Sequence, residues 1–377
     1  MIVRNAKVLC GDFQLRRTDV RIENGVIAQL GALPADGAEE LDAAGKYLLP
    51  GLIDTHTHGM CGVEFSAPDE DFDAALLYEA RMGVTTVAPT TRCLPPQEVE
   101  AAFVNIRREA AKHRPGRAHI GGIHAEGPFI SPARKGAADQ DKICAPDTAA
   151  FAALCDAAGG MLKILTLAPE LPGADALIGA ACARGVTVSL GHTDAAYEEA
   201  VHAIELGARQ ATHTCNAMRP FRHRDPGVLG AVLLDGRVRC EMICDLVHLA
   251  LPAIRLIYAL KGAENINMVS DTGKMSGFPD GTYTVDGRPR IIRDGVCRLP
   301  DGTIAGSTRC LYDGVKNMFD NGFPLEDIFR MAAFNPARTL GIDGETGSIA
   351  PGKRADLLLA DGGLGRAAVF VAGVPVR

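Results

Sequence analysis

The chain of 377 residues contains no run of lysines and arginines, and its formal net charge is −7 at pH 7. No basic stretch is interleaved with aromatic residues, which argues against general nucleic-acid binding. A small anionic substrate remains compatible with this charge if local basic residues act against the overall field.

Long hydrophobic runs and CxxC cysteine pairs are also missing. The N-terminus does not combine a basic start with a long apolar stretch, so we expect neither a signal peptide nor a membrane-spanning segment. The eleven cysteines form an odd and irregularly spaced set, which fits reduced thiols better than a disulfide framework. The sequence therefore predicts a cytoplasmic protein without nucleic-acid or membrane partners.

Both ends of the chain have the pattern of β-strands. Two apolar runs, residues 20–23 and 26–30, flank Asn24 and Gly25, a hairpin signal because both turn positions require positive φ. Residues 355–360 and 368–376 also alternate like strands. Neither end can bury much surface alone. We predict one small β-sandwich domain built from residues 1–50 plus 344–377.

The middle of the chain alternates short apolar runs with alanine-rich segments of helical spacing, such as 72–81, 148–158, 174–184 and 195–206. Eight strand-helix units are the number that closes a (β/α)8 TIM-like barrel, here predicted over residues 51–343. Residues 277–305 are predicted to form hairpins inserted after the eighth strand. The predicted strands are 52–58, 84–90, 119–126, 162–169, 186–192, 210–213, 239–245 and 267–271.

His56 and His58 end the first predicted strand, directly after a run of apolar residues, proline and glycine. Side chains at i and i+2 of a strand point to the same side, about 6.6 Å apart. This spacing suits two ligands of one metal ion. The alternative is a pair of histidines that form hydrogen bonds inside the core.

Other predicted strands end in residues of the same chemical kind: Glu126, His192, His213 and Asp271. In a barrel, the carboxyl ends of the strands share one rim, and functional residues gather there. Imidazole nitrogens and carboxylate oxygens are ligands for divalent ions, and a remaining carboxylate can transfer protons. Each residue alone also fits a buried histidine, a turn or a helix cap. Their joint position at successive strand ends favours a metal site.

Several motifs carry a family resemblance that covers residues 40–360. The motifs are PGLIDTHTHG, HAEGPFISP, LAPE, GHT, THTCNAM, SDT and GSIAPGKRADLLLAD. Through them the chain is similar to the amidohydrolase superfamily and, within it, resembles the N-acetylglucosamine-6-phosphate deacetylases. The resemblance implies metal-dependent release of acetate from the sugar phosphate, with a homodimer as the common assembly.

The resemblance also implies roles for the residues at the strand ends. Glu126, His192 and His213 would hold the principal ion, and His56 and His58 a second ion that Glu126 bridges to the first. The ion would be Zn, Fe, Co or Mn, with one or two bound per subunit. Asp271 matches the general base. The residues that match sugar-phosphate contacts are Ala137, Asn216, Ala217, Arg224, His248 and Ile304.

Three positions depart from the family pattern. Ala138 replaces a histidine that polarises the acetyl carbonyl, and alanine cannot donate a hydrogen bond from its side chain. Leu246 replaces glycine before the phosphate-binding histidine, and Lys274 lies in a segment that is usually small and uncharged. We expect these changes to affect which sugar fits rather than the reaction class.

Three other functions remain open from the sequence. The chain could deacetylate a different amino sugar, or it could hydrolyse a cyclic amide or an N-acyl amino acid. Cyclic-amide hydrolases use a carbamylated lysine at the end of the fourth strand, whereas Lys163 lies at the start of that strand. A non-catalytic scaffold would have lost a metal ligand or the general base, and all of these are present.

Overall fold

Eight parallel strands form a barrel in the computed structural model, which describes residues 1–112, 114–285 and 287–376. Each barrel strand pairs with the next along the chain, and a short strand, His119–Ile120, pairs with the second barrel strand just before the third begins. The eight strands, referred to below by number, are Leu52–Thr57, Val84–Thr91, Ile123–Glu126, Leu162–Leu167, Thr187–Leu190, Gln210–Ala211, Arg239–Ile243 and Ile266–Val269.

Backbone hydrogen bonds between the first and eighth barrel strands close the barrel at their carboxyl ends. The amide of Asp271 donates to the carbonyl of His56 at 2.9 Å, and the amide of His58 donates to the carbonyl of Thr272 at 2.7 Å. The predicted barrel is therefore confirmed. Closure also places two candidate ligands beside the candidate base.

Helices cover the outside of the barrel, so its strands are buried on both faces and consist largely of apolar residues. One helix begins where predicted, because the Asp147 carboxylate accepts hydrogen bonds from the amides of Ala149 and Ala150. The α-helices are Asp73–Arg81, Pro96–Ala110, Thr148–Ala158, Ala174–Ala183, Tyr197–Leu206, Gly227–Leu234, Leu251–Lys261, Leu311–Asp320, Leu325–Phe329 and Asn335–Leu340.

Shorter helical turns lie in the connections. Those of the 3-10 type are Pro132–Arg134, Gln140–Lys142 and Ala263–Asn265, and a π-helical turn, Arg330–Phe334, links the last two α-helices. None of the helices in the described ranges is both long enough and apolar enough to cross a membrane.

The two ends of the chain form a separate eight-stranded sheet with its own apolar cluster. Its predicted hairpin is present, with φ of 50° at Asn24 and 79° at Gly25. The amide of Gly51 donates to the carbonyl of Asp356 and joins this sheet to the barrel. The predicted boundaries at residues 50 and 344 stay predictions. The strands are Ile2–Leu9, Leu15–Glu23, Val26–Gly31, Glu40–Asp42, Tyr47–Pro50, Leu357–Ala360, Arg366–Val371 and Val374–Pro375.

An antiparallel sheet follows the eighth barrel strand, where hairpins are predicted. We call it the inserted sheet; its strands are Gly281–Val285, Arg288–Arg293, Val296–Arg298 and Ile304–Ser307. Met275, Val285, Ile292 and Cys297 form a small apolar cluster beneath it. Residues from all four of its strands line the pocket at the barrel mouth. A two-stranded hairpin, Gly59–Met60 and Val63–Glu64, follows the first barrel strand.

Candidate active site

The Glu126 carboxylate lies at the centre of the barrel mouth, and four histidine Nε2 atoms surround it. Those of His192 and His213 each lie 3.1 Å from Oε1. The Nε2 atom of His56 lies 3.3 Å from Oε1, and that of His58 lies 3.3 Å from Oε2. All five predicted ligands thus meet, and one carboxylate is shared between two pairs of imidazoles.

Asp271 completes the same cluster from the eighth strand. Its Oδ1 atom lies 3.3 Å from Nε2 of His58 and 3.6 Å from Nε2 of His56. The donor atoms of these six residues form two groups, and the atoms within each group lie close enough together to hold one ion. One group is Glu126 with His192 and His213, and the other is Asp271 with His56 and His58. Mixed nitrogen and oxygen donors of this kind suit zinc and similar divalent ions.

The histidines present their Nε2 atoms because other groups hold the opposite ring nitrogen. Nδ1 of His58 lies 3.1 Å from the Thr90 carbonyl, and Nδ1 of His192 lies 2.9 Å from the Arg134 carbonyl. A carbonyl can only accept, so Nδ1 carries the proton and Nε2 of the neutral ring offers its lone pair.

Two features at the centre of the cluster are explained better by a bound cation than by hydrogen bonds alone. The Nε2 atoms of His192 and His213 lie only 3.0 Å apart. Nε2 of His56 is buried and lacks a partner with hydrogen-bond geometry. Lone pairs that converge on one point repel one another unless protons or a cation lie between them. The residues present therefore fit a divalent ion.

Glu241 is a functional residue that the sequence analysis missed. Its Oε2 atom lies 2.9 Å from Nδ1 of His56 and accepts the backbone N–H of His213 at 3.0 Å. Its Oε1 atom accepts a hydrogen bond from Gln210, which in turn accepts one from Asn267. The carboxylate is fully buried and contacts residues of both donor groups. A charged residue inside the apolar run of the seventh strand was the available signal.

His124 lies on the third strand two residues before Glu126, but it does not join the metal ligands. Nδ1 lies 3.0 Å from the Thr55 carbonyl and Nε2 lies 2.8 Å from the Thr166 hydroxyl. Burial, with a further contribution from the charge of His56, lowers the pKa of His124 to about 4. This histidine is a neutral structural group.

Interactions among the charged groups of the cluster shift their pKa values. Burial opposes protonation of His58, but hydrogen bonds to Asp271 and Glu126 outweigh it and raise the pKa of His58 to about 9. Burial favours the neutral form of Glu126, but the positive charges of His56 and His192 outweigh burial and hold the pKa of Glu126 well below its usual range. The carboxylates therefore require positive charge beside them, as protons or as metal ions.

Three site residues adopt left-handed backbone conformations directly after their strands. The φ angles are 48° at His192, 28° at His213 and 53° at Asp271. Such values are uncommon for residues with a Cβ atom, and they gather where function requires a particular orientation. The strands accordingly end earlier than predicted, and the chain turns at these residues and directs their side chains into the mouth.

Most of the predicted substrate residues line the pocket above this cluster, but one does not. The pocket is lined by Ala137, Asn216, Ala217, His248 and Ile304, among others. Arg224 is exposed and does not line it. Of the three departures, Ala138 and Lys274 line the pocket, whereas Leu246 is 40% exposed outside it.

Asp245, another residue that the sequence analysis missed, holds His248 in place. Its Oδ2 atom lies 2.8 Å from Nδ1 of His248, and its Oδ1 atom accepts the backbone N–H of the same residue. Burial lowers the pKa of His248, but the hydrogen bond to Asp245 outweighs burial and raises it. A protonated imidazole in the pocket wall suits an anionic ligand.

Lys163 remains at the amino end of the fourth strand, as the sequence indicates. Its side chain packs over Gly122, which lies directly before the third strand. It is therefore not among the groups that meet at the barrel mouth, where the Glu126 carboxylate lies between the two pairs of histidines. This placement argues against a carbamylated-lysine site.

Comparison with known proteins places the chain in a defined family. The model of the amidohydrolase family matches residues 47–376, and the chain belongs to that family. It is a hydrolase, and members of the family generally depend on metal ions.

Its relatives act on amino-sugar phosphates. The chain is 34% identical to the N-acetylglucosamine-6-phosphate deacetylase of Lysinibacillus sphaericus, over 96% of this chain and 94% of the relative. It is also 34% identical to the N-acetylgalactosamine-6-phosphate deacetylase of Escherichia coli O157:H7, over 99% and 98%. A mutant N-acetyl-D-glucosamine-6-phosphate deacetylase of Mycobacterium smegmatis, solved in complex with N-acetyl-D-glucosamine-6-phosphate, superposes with a TM-score of 0.92 at 33% identity, covering 100% and 99%.

Replacing Glu241 by glutamine tests whether its carboxylate orients the metal ligands. An amide can donate to His56, so the ring can reverse its tautomer and turn a protonated nitrogen toward Glu126. We expect Glu241→Gln to weaken metal binding about 10- to 100-fold in competition titrations with a chelator. Glu79→Gln is the control, since Glu79 is also fully buried but has no hydrogen-bond partner. Equal metal affinities of both variants would contradict the role of Glu241.

The raised pKa of His58 predicts that metal binding releases protons. Below a pH of about 9 the ring holds a proton in the metal-free protein, and this proton must leave when an ion binds. Metal affinity should therefore fall as the pH is lowered from 9 to 6. Calorimetric titration at pH 7.5 in two buffers with different ionisation enthalpies measures the release. Identical heats in the two buffers would show that no proton leaves.

Proposed function

We propose that the protein hydrolyses the N-acetyl group of N-acetylglucosamine-6-phosphate and releases glucosamine-6-phosphate and acetate. The observation that carries the proposal is the shared Glu126 carboxylate, with Asp271 beside it and a pocket that holds His248. Relatives with the same reaction, similar over nearly the whole chain, support it. A relative that acts on the galactosamine isomer at equal identity keeps that sugar as the second candidate.

The donor atoms of the cluster would hold one or two divalent ions, chosen from Zn, Fe, Co and Mn. Glu126, His192 and His213 would bind the first ion, and His56 and His58 a second ion that shares Glu126. Bound there, such an ion supplies Lewis acidity, which polarises the amide carbonyl and makes water a better nucleophile at neutral pH. Ala138 offers no side-chain donor for the carbonyl, so a bound ion or a neighbouring residue such as Asp139 or Gln140 would have to fill that role.

Asp271 would act as the general base. Its carboxylate points into the cluster, and burial, which favours its neutral form, is outweighed by the charges of His56 and His58, so its pKa is lowered. It accepts a proton from the attacking water and returns it to the nitrogen of the leaving amine. The leaving group is then a neutral amine rather than an unstable amide anion.

His248 and Asn216 would bind the sugar phosphate, and Ala137, Ala217 and Ile304 would pack against the sugar. The imidazolium of His248, oriented by Asp245, donates to a phosphate oxygen. Arg224 is exposed outside the pocket of its own chain, which supports a homodimer in which the loop of one copy reaches the pocket of the other. Eleven free cysteines are consistent with a cytoplasmic location.

A substrate panel tests the reaction and the sugar together. Acetate release is measured on the 6-phosphates of N-acetylglucosamine, N-acetylgalactosamine and N-acetylmannosamine, and on unphosphorylated N-acetylglucosamine. We expect the phosphate to raise kcat/KM at least 100-fold, since a charge-assisted contact contributes about 1.5–3 kcal/mol and the phosphate makes more than one. Equal kcat/KM with and without phosphate would overturn the role of His248.

Replacing Asp271 by asparagine tests the general base. The amide keeps the size of the side chain but cannot accept a proton, so kcat should fall at least 1000-fold while Glu126, His192 and His213 retain their ion. Metal content and acetate release are measured on the same preparation. Asp271→Glu is the matched comparison that keeps the carboxylate. Substantial turnover by Asp271→Asn would place the base elsewhere.

Subunit mixing tests the homodimer and the position of Arg224. Asp271→Asn and Arg224→Met are each expected to have low activity on N-acetylglucosamine-6-phosphate. In a mixed dimer, the subunit with an intact Asp271 receives the intact Arg224 of its neighbour, so activity should return when the two variants are co-expressed. Activity no higher than the average of the two separate variants would contradict this arrangement.

A further inference from the structure

One wall of the pocket contains a cationic group that the proposed reaction does not use. Arg290 lies on the Arg288–Arg293 strand of the inserted sheet and lines the pocket. Its Nη1 atom is buried and makes no hydrogen bond within the described parts of the chain. A buried guanidinium nitrogen without an acceptor costs free energy, so its natural acceptor is expected on a ligand.

A second cation lines the same pocket. Lys142 ends the Gln140–Lys142 turn after the third barrel strand and is half-buried. Among the described residues no carboxylate forms an ion pair with its ammonium group. Lys142 and Arg290 therefore leave positive charge uncompensated in one pocket.

The carboxylates that line the pocket are all engaged elsewhere. Glu126 and Asp271 face the histidines of the metal cluster. Glu64 pairs with Arg92 at 3.3 Å, and Asp139 pairs with Arg288. None of these four carboxylates forms an ion pair with Arg290 or Lys142 within the described parts of the chain, so an anionic ligand is a suitable partner for both cations.

These two cations lie away from the proposed phosphate contacts. His248 and Asn216 follow the seventh and sixth barrel strands, whereas Lys142 belongs to the connection after the third, across the barrel mouth. The ion pair between Arg288 and Asp139 brings the arginine-bearing strand of the inserted sheet to that same connection. A sugar phosphate held by His248, with its acetyl group over Glu126, therefore presents its other side to Arg290 and Lys142.

We propose that Arg290 and Lys142 form a second anion subsite, and that the preferred substrate is an N-acetyl amino-sugar phosphate with an additional carboxylate. The carboxylate is attached through the hydroxyl oxygen on C3, the carbon next to the one that bears the acetamido group, on the side away from the 6-phosphate. A guanidinium can donate two parallel hydrogen bonds to a planar carboxylate. The inference rests on the proposed deacetylase function, and the reaction at the acetyl group is unchanged.

The experiment compares three substrates of similar shape. They are N-acetylglucosamine-6-phosphate, its 3-O-(1-carboxyethyl) ether and an uncharged 3-O-propyl ether, with acetate release as the readout. For the wild-type protein we expect kcat/KM to be at least tenfold higher for the carboxylated ether than for either of the other two. The uncharged ether separates the effect of the charge from the effect of added bulk.

Three variants connect the preference to the subsite. Arg290→Met should lower the ratio of kcat/KM for the carboxylated ether to that for the plain sugar at least tenfold, mainly through KM. Lys142→Met should change the ratio in the same direction, and it provides the test if Arg290→Met does not fold. Arg293→Met is the control, since Arg293 is an exposed arginine on the same strand that does not line the pocket.

A wild-type protein without preference for the carboxylated ether would overturn the proposal. So would an unchanged ratio in Arg290→Met, since that arginine would then not distinguish the carboxylated ether from the plain sugar. If the proposed deacetylase function itself is wrong, no acetate is released from any of the three substrates. That outcome would overturn both proposals together.

Discussion

The shared carboxylate of Glu126 is the interaction on which the site depends. Four imidazoles from the first, fifth and sixth strands converge on one buried carboxylate. Negative charge and lone pairs so close together are stable only if protons or cations lie among them. The closed barrel makes this arrangement possible, because it brings strands far apart in sequence to one rim.

The surroundings of the site keep this arrangement rigid. Glu241 connects His56 with the backbone of His213, so one buried carboxylate orients ligands from both donor groups. A hydrogen bond from the Gln210 amide holds the Glu241 carboxylate in turn. A site held in this way needs little reorganisation when the substrate binds, which is how preorganised charge lowers a barrier. Asp271, whose backbone amide donates to the His56 carbonyl of the first strand, shares that rigidity.

Much of the fold and of the cluster could be predicted, because strand ends in a parallel barrel share one rim. His56, Glu126 and Asp271 were identified on that ground. Glu241 could not be identified in this way, because its importance depends on contacts with His56 and His213 in distant parts of the chain. Arg290 could not be identified either, because nothing in its strand pattern shows that it lines the pocket. Arg224 shows a different limit, since a motif singles out the residue, whereas the structure places it on the surface outside the pocket.

The most direct test of the account is the number of metal ions per subunit, measured by elemental analysis of protein prepared in metal-replete medium. A cluster bridged by Glu126 predicts two ions in the wild-type protein, one in His58→Ala and none retained in Glu126→Ala. A single ion in the wild-type protein, with an unchanged content in His58→Ala, would contradict the shared carboxylate as the centre of the site.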